Sequence, residues 1–301
     1  MLKNLDKEEY FYGHKGCGGC GGSLAVRLAL KVLGKNTFVV VPAGCMSAVG
    51  FLYPQLSFGV NALISPFAST GAMLSGIRAA ANALDIKDCN VVGFAGDGGT
   101  ADIGLQALSG AIDRGDRIIY ICYDNEAYMN TGVQQSGLTP YGARTTTTPP
   151  GDYIHGSKNN KKDMFDIVAA HNIKYAATAS IGNIPDYIRK VEKAKNIKGT
   201  SYIHVAAPCP TGWGIDSSET VSIAKEAIHC GLWYLAEYED GVYKLNHEVR
   251  EYASIEGYLK KQSRFKHLTD EDIEIIQKQR DRKINLIKRK VKNYEKILEN
   301  Q

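Results

Sequence analysis

The sequence has no apolar run able to cross a membrane. Its longest, Phe38 to Leu52, is broken by Pro42 and Gly44 and falls short of the roughly 20 residues a spanning helix needs. The opening stretch, Met1-Leu2-Lys3-Asn4-Leu5-Asp6-Lys7-Glu8-Glu9, lacks the apolar centre of a secretory signal. Charge of one sign is scarce too. A net charge of +4 over 301 residues is too weak to argue for nucleic acid, and the excess gathers late, between Lys278 and Lys292. There is no internal repeat and no low-complexity tract. A folded cytoplasmic protein without membrane or nucleic-acid partners is expected. In a reducing compartment, seven cysteines are unlikely to form structural disulfides, so clustered ones point to metal or redox chemistry.

What is present is an alternation of short β-branched runs with helical patterns. Strands are expected over Thr37–Val41, Asn90–Ala95, Arg117–Tyr123, Lys174–Ala179 and Ser201–Ala206. Helices are expected over Ser23–Leu33, Gly71–Leu84, Ala101–Arg114, Met164–Ala170, Pro185–Ala194 and Ser218–Leu235. Several strands read as continuous apolar runs, which suits a parallel sheet covered on both faces. The expectation is an α/β, doubly wound, mainly parallel sheet, whose ligands collect at the carboxyl ends of strands. The segment 135–162, rich in Thr, Pro, Gly and Asn, reads as a long ordered loop of the kind that serves function. From Thr269 to Leu298 a charged helix carries a narrow apolar stripe of Ile284, Ile287, Val291, Tyr294 and Leu298, fit to pack on its own domain or on a neighbouring subunit. The division expected is residues 1–260 as the binding domain and 261–301 as a helical extension.

Two constellations carry chemistry. Gly96-Asp97-Gly98-Gly99 follows one strand and opens a helix. Its glycines let backbone approach a phosphate, the helix N-terminus offers free N–H groups, and Asp97 is a hard oxygen ligand for Mg²⁺. Alone, such a turn is also common as mere geometry. The next expected strand ends in Asp124-Asn125-Glu126-Ala127-Tyr128-Met129-Asn130-Thr131-Gly132, and Asn125 lies 28 residues beyond Asp97. That spacing accommodates a helix and a return strand, so a parallel crossover brings both loops to one sheet edge. The second constellation is Cys17 and Cys20 in a glycine-rich Cys-x-x-Cys, Cys45 after the first strand and Cys209 after the last. A Cys-x-x-Cys by itself fits a zinc knuckle, a redox pair or two buried thiols. Cys89, Cys122 and Cys230 fall inside expected elements and read as small buried residues.

The Gly-Asp-Gly with its downstream Asn, and above all the run Asp124 to Gly132, resembles the β subunit of the pyruvate (2-oxoacid):ferredoxin oxidoreductase family, over Gly13 to about Leu268. The resemblance implies that Gly96, Asp97, Gly98, Gly99, Asn125, Ala127, Tyr128 and Asn130 bind thiamine diphosphate. Within that set, Asp97, the Asn125 side chain and the Ala127 carbonyl would hold Mg²⁺, and Asn130 would be the catalytic group beside the reacting carbon. It further implies that Cys17, Cys20, Cys45 and Cys209 hold a 4Fe–4S cluster, which takes electrons released by decarboxylation and passes them towards ferredoxin. His14, Gln134, Thr139 and Thr145–Thr148 belong to the same patterns, His14 with a structural role. In that family coenzyme A accepts the acyl group in most members. An α subunit brings the glutamate that activates the cofactor, and γ and ferredoxin-like δ subunits, or fused equivalents, carry further clusters. No activating carboxylate and no two-cluster cysteine pattern stands out in this chain, so the site is expected to lie between subunits.

Departures bear on the substrate. Ser69 and Thr70 stand where pyruvate enzymes of the family carry an acidic-plus-amide pair, so pyruvate, oxalate and a branched-chain 2-oxoacid all stay open. Two other readings compete: a non-redox thiamine diphosphate decarboxylase or synthase, and a zinc-stabilised scaffold subunit.

Overall fold

The computed structural model describes residues 5, 7–152 and 155–299. Eight strands form the main sheet, in the order β10-β9-β7-β8-β6-β5-β1-β4. They are β1 (Thr37–Pro42), β4 (Asn61–Ser65), β5 (Asn90–Gly96), β6 (Ile119–Asp124), β7 (Tyr175–Ser180), β8 (Ser201–Ala206), β9 (Ala236–Glu239) and β10 (Val242–Leu245), with a separate hairpin of β2 (Phe51–Leu52) and β3 (Gln55–Leu56). From β4 to β7 all neighbours are parallel, and β9 and β10 add an antiparallel edge. All five expected strands are present. The two edges and the hairpin were not legible, since their short runs lack the continuous apolar character of doubly covered strands.

The helices are α1 (Gly21–Leu33), α2 (Cys45–Gly50), α3 (Thr70–Ala83), α4 (Asp97–Ala101), α5 (Leu105–Asp113), α6 (Met164–Ala169), α7 (Ile184–Asn196), α8 (Pro210–Trp213), α9 (Thr220–His229), α10 (Ile255–Lys260) and α11 (Asp270–Glu299). Strand side chains alternate between two cores. Val39, Val41, Phe94 and Ile121 meet α1 and α7 through Leu30, Tyr187 and Val191. Val40, Val91, Tyr120 and Cys122 meet the other side through Leu74, Leu108, Phe165 and Ile284. Burying both faces explains why these strands read as unbroken apolar runs. In α11, Ile284 and Ile287 are buried and Val291 is half-buried; the side chains of Tyr294 and Leu298 lie outside the described residues. Among the described residues no helix is long and apolar enough to cross a membrane.

Two helices differ from expectation. The one expected over Ala101–Arg114 is two, α4 and α5, broken at Asp102, whose carboxylate accepts from Tyr128 Oη at 2.7 Å, Lys162 Nζ at 2.6 Å and the Gly137 N–H at 2.9 Å. These bonds pin the break, and Gly104 fills it because a Cβ there would strike the Gly99 carbonyl. The helix expected over Ser218–Leu235 ends at His229, since Gly231 turns left-handed at φ +77° and leads into β9.

Candidate active site

The parallel strands set the site. Gly96 at the end of β5 pairs with Tyr123 of β6, and Asp124 of β6 pairs with Ala206 of β8. The loops after β5, β6 and β8 therefore open on one edge, and the β1–α2 turn joins them with Cys45. α4 begins on Asp97 itself, so the carboxylate lies at the very start of that turn.

Asp97 and Asn125 come together. Both are buried, and the Asn125 side-chain oxygen faces Asp97 Oδ1 and the Ala127 carbonyl oxygen, each 2.9 Å away. Three oxygens with no donor among them repel. They are reconciled by a cation between them, or by turning the amide over so that its NH₂ donates to the same two atoms. Neighbouring ligands of an octahedral Mg²⁺, bound at about 2.1 Å, stand about 3.0 Å apart. The spacing fits the ion. Burial and the Asp124 charge push the Asp97 carboxyl well above its ordinary range, against the Ser136 hydroxyl that donates to its other oxygen. A divalent cation here would favour the ionised form.

The loop beyond β6 is held at many points. Asp124 accepts from Glu126 N–H at 3.0 Å, Lys161 Nζ at 2.6 Å and His204 Nε2 at 2.8 Å. Burial alone would raise its carboxyl, but Lys161 and His204 bring it down to about 2. The Trp213 indole N–H donates to the Asn125 carbonyl at 2.8 Å, and the Thr139 hydroxyl to the Glu126 carbonyl at 2.7 Å. The Tyr128 ring packs against Gly98, where any Cβ would collide with it. Asn130 is exposed on the rim of the cleft.

The cleft that Asp97, Asn125 and Asn130 line is small, about 60 Å³, bounded by Gly44, Cys45, Phe67 and the Gly96–Gly99 turn. A site that encloses a whole cofactor is several times larger, so this cleft by itself is too small to enclose one. Asp97 is the only carboxylate among the described lining residues. Ser69 and Thr70 do not reach the cleft. Thr70 is buried with its hydroxyl 3.2 Å from Ser65 Oγ, and Phe67 lines the wall instead.

The four cysteines converge beside the cleft. Cys20 caps α1 and accepts from Ser23 N–H at 3.4 Å. Cys209 caps α8 and accepts from Gly212 N–H at 3.4 Å, and Cys45 is the first residue of α2. Helix N-termini and N–H donors favour thiolate. The Gly21 N–H donates to the Pro208 carbonyl at 3.2 Å, tying the Cys17–Cys20 turn to the Cys209 loop. Burial first, then Cys20, Cys209, Asp97 and Cys17, push the Cys45 thiol up to about 12. Among the described residues no three His, Cys, Asp or Glu side chains close on a single metal ion. A tetrahedral zinc site would need thiolates about 3.8 Å apart, whereas a cluster ligates each thiolate to its own iron and takes a wider ring. Cys89, Cys122 and Cys230 are buried in the cores, as expected.

His14 accepts from Gly16 N–H at 3.1 Å and stacks on Phe11. Gln134 bonds within its own turn to Thr131, and Thr145 and Thr148 bond each other at 2.7 Å inside the loop. Sequence reasoning missed Ser136, Lys161 and Arg264. The polar loop that holds the first two was singled out, but nothing in its composition marks one serine or lysine among many.

Residues 42–205 match the family described as "Thiamine pyrophosphate enzyme, C-terminal TPP binding domain". The chain is 50% identical to the pyruvate synthase subunit PorB of Methanothermobacter thermautotrophicus over 274 residues, covering 91% of this chain and 95% of that one. It is 49% identical to the ketoisovalerate oxidoreductase subunit VorB of Pyrococcus abyssi over 279 residues, 90% of each. Among solved structures, it resembles the 2-oxoglutarate:ferredoxin oxidoreductase of Magnetococcus marinus, with a TM-score of 0.59, 22% identity, and 69% of this chain and 70% of that one covered, a likeness of fold.

Proposed function

The chain belongs to the thiamine diphosphate-binding β subunits of the 2-oxoacid:ferredoxin oxidoreductases, and from this premise we propose how its residues serve that activity. Asp97, the Asn125 side chain and the Ala127 carbonyl would hold Mg²⁺, which would supply the positive charge that binds the cofactor diphosphate, with the Gly96–Gly99 turn beside it. Cys17, Cys20, Cys45 and Cys209 hold a 4Fe–4S cluster. When bound, thiamine diphosphate supplies the nucleophilic carbon and the sink for the electrons of decarboxylation, and the cluster accepts them singly.

This chain's residues do the rest. Ser136 donates to Asp97 and keeps its second oxygen engaged, leaving Oδ1 for the metal. Tyr128 and Phe67 exclude water from the turn. Asn130, on the rim, donates to the substrate oxygen that gains negative charge. Cys45 lines the cleft and neighbours the other three thiols, so a cluster held by the ring would lie beside the cofactor cleft. The single observation that carries the reading is the convergence of Asp97 Oδ1, the Asn125 side chain and the Ala127 carbonyl, the Asn125 amide lying 2.9 Å from each of the other two.

The small cleft and its want of a second carboxylate support completion by an α subunit carrying the activating glutamate, with γ and ferredoxin-like δ subunits, or fused equivalents, leading electrons to ferredoxin. Residues 261–301 serve as an extension on the binding domain of residues 1–260. The substrate is a small 2-oxoacid, pyruvate or a branched-chain one, with coenzyme A taking the acyl group. Viologen reduction by the purified complex tests this with pyruvate, 2-oxoisovalerate, oxalate and 2-oxoglutarate, each with and without coenzyme A. Coenzyme A-dependent reduction with pyruvate or 2-oxoisovalerate is expected. Reduction by oxalate without coenzyme A would overturn the substrate assignment, and reduction by none of the four would overturn the redox reading.

A further inference from the structure

Glu126 stands between Asn125 and Ala127, and its backbone is left-handed at φ +68°. For a residue with a Cβ that region carries a steric cost, which persists only where surrounding contacts enforce it. Glu126 Oε1 accepts from Lys161 Nζ at 2.7 Å and Oε2 from Arg264 at 2.6 Å. Lys161 is mostly buried and also bridges Asp124, while the Arg264 guanidinium lies 3.7 Å from the centre of the Trp213 ring. Asp124 and Glu126 line a second cavity of about 480 Å³, whereas Asn125 and Ala127 line the cleft. Alternate residues of one short turn thus serve two sides.

A buried ion pair adds little net stability against a well-packed apolar alternative, so two of them on one carboxylate point to a conformation being specified. We propose that Glu126 is a positioning residue: its ion pairs with Lys161 and Arg264 hold the left-handed turn that brings the Asn125 side chain and the Ala127 carbonyl to Asp97, and so set the affinity for the divalent cation. Glu126 touches neither metal nor substrate. The inference rests on the metal reading of Asp97, Asn125 and Ala127.

Mg²⁺ titration of the complex in the presence of thiamine diphosphate, followed by quenching of tryptophan fluorescence, tests it. Glu126→Gln removes the charge and keeps the shape. It is expected to raise half-saturating Mg²⁺ about tenfold or more, as loss of an outer partner of a metal ligand does. Turnover at saturating Mg²⁺ and iron content should match the parent. Glu126→Asp, which keeps the charge but shortens the reach, gives the same readout if the glutamine variant does not assemble. An unmoved Mg²⁺ titration overturns the inference, as does a loss of turnover that saturating Mg²⁺ fails to restore. A parent complex that binds no Mg²⁺ with thiamine diphosphate overturns the metal site and this inference together.

Discussion

The oxygen pocket and the thiol ring share a wall at Cys45 but are built on opposite terms. In the pocket, Asp97 and Asn125 are 1% and 6% exposed, and the main chain around them is bonded to Trp213 and Thr139. The proposed ligands are thus fixed by the fold's own contacts. In the ring, Cys17 is exposed, the other three are partly so, and two N–H contacts at 3.4 Å are the hydrogen bonds their sulfurs receive in this way. Burial first, then the neighbouring thiols, push Cys45 up to about 12, so the ring as it stands disfavours the thiolates that a bound cluster would need. If the proposed groups bind here, Mg²⁺ is expected to exchange from a site already formed, and a cluster to act as a structural part of its own ring.

Cys209→Ser breaks the ring most severely. It should lose the cluster and lower dye reduction by more than about a hundredfold, the upper end of what removal of an outer partner costs, whereas Cys230→Ser in the core should keep iron and absorbance. Iron counting after anaerobic purification checks both, and the reverse pattern would mean that the ring is misassigned. Ser136→Ala is the smaller probe, aimed at the pocket. It leaves Asp97 Oδ2 without its hydroxyl and should weaken Mg²⁺ roughly tenfold without touching the iron. An equal loss of iron and Mg²⁺ would erase the contrast between the two sites.

Much of this was legible in the residues. The five central strands announced themselves because burial on both faces demands continuous apolar runs. The Asp97 and Asn125 pair was readable because the 28-residue spacing between them accommodates the helix and return strand of a parallel crossover. Where Asp102 and Gly104 break the helix after Asp97, the cause is a tertiary clamp from Lys162 and Tyr128, and no local signal encodes it. Ser136, Lys161 and Arg264 were illegible for the same reason. They lie 39, 37 and 138 residues in sequence from their partners Asp97, Asp124 and Glu126, and ordinary polar residues at such separations carry no pattern. The want of an activating carboxylate was inferable from the sequence only in that no candidate stood out.

The most direct test is to assay thiamine diphosphate and iron together in the purified complex carrying Asp97→Ala in this chain. The variant is expected to lose the cofactor while the cluster's iron and absorbance remain at the parent level. Retention of thiamine diphosphate at the parent's affinity would contradict it.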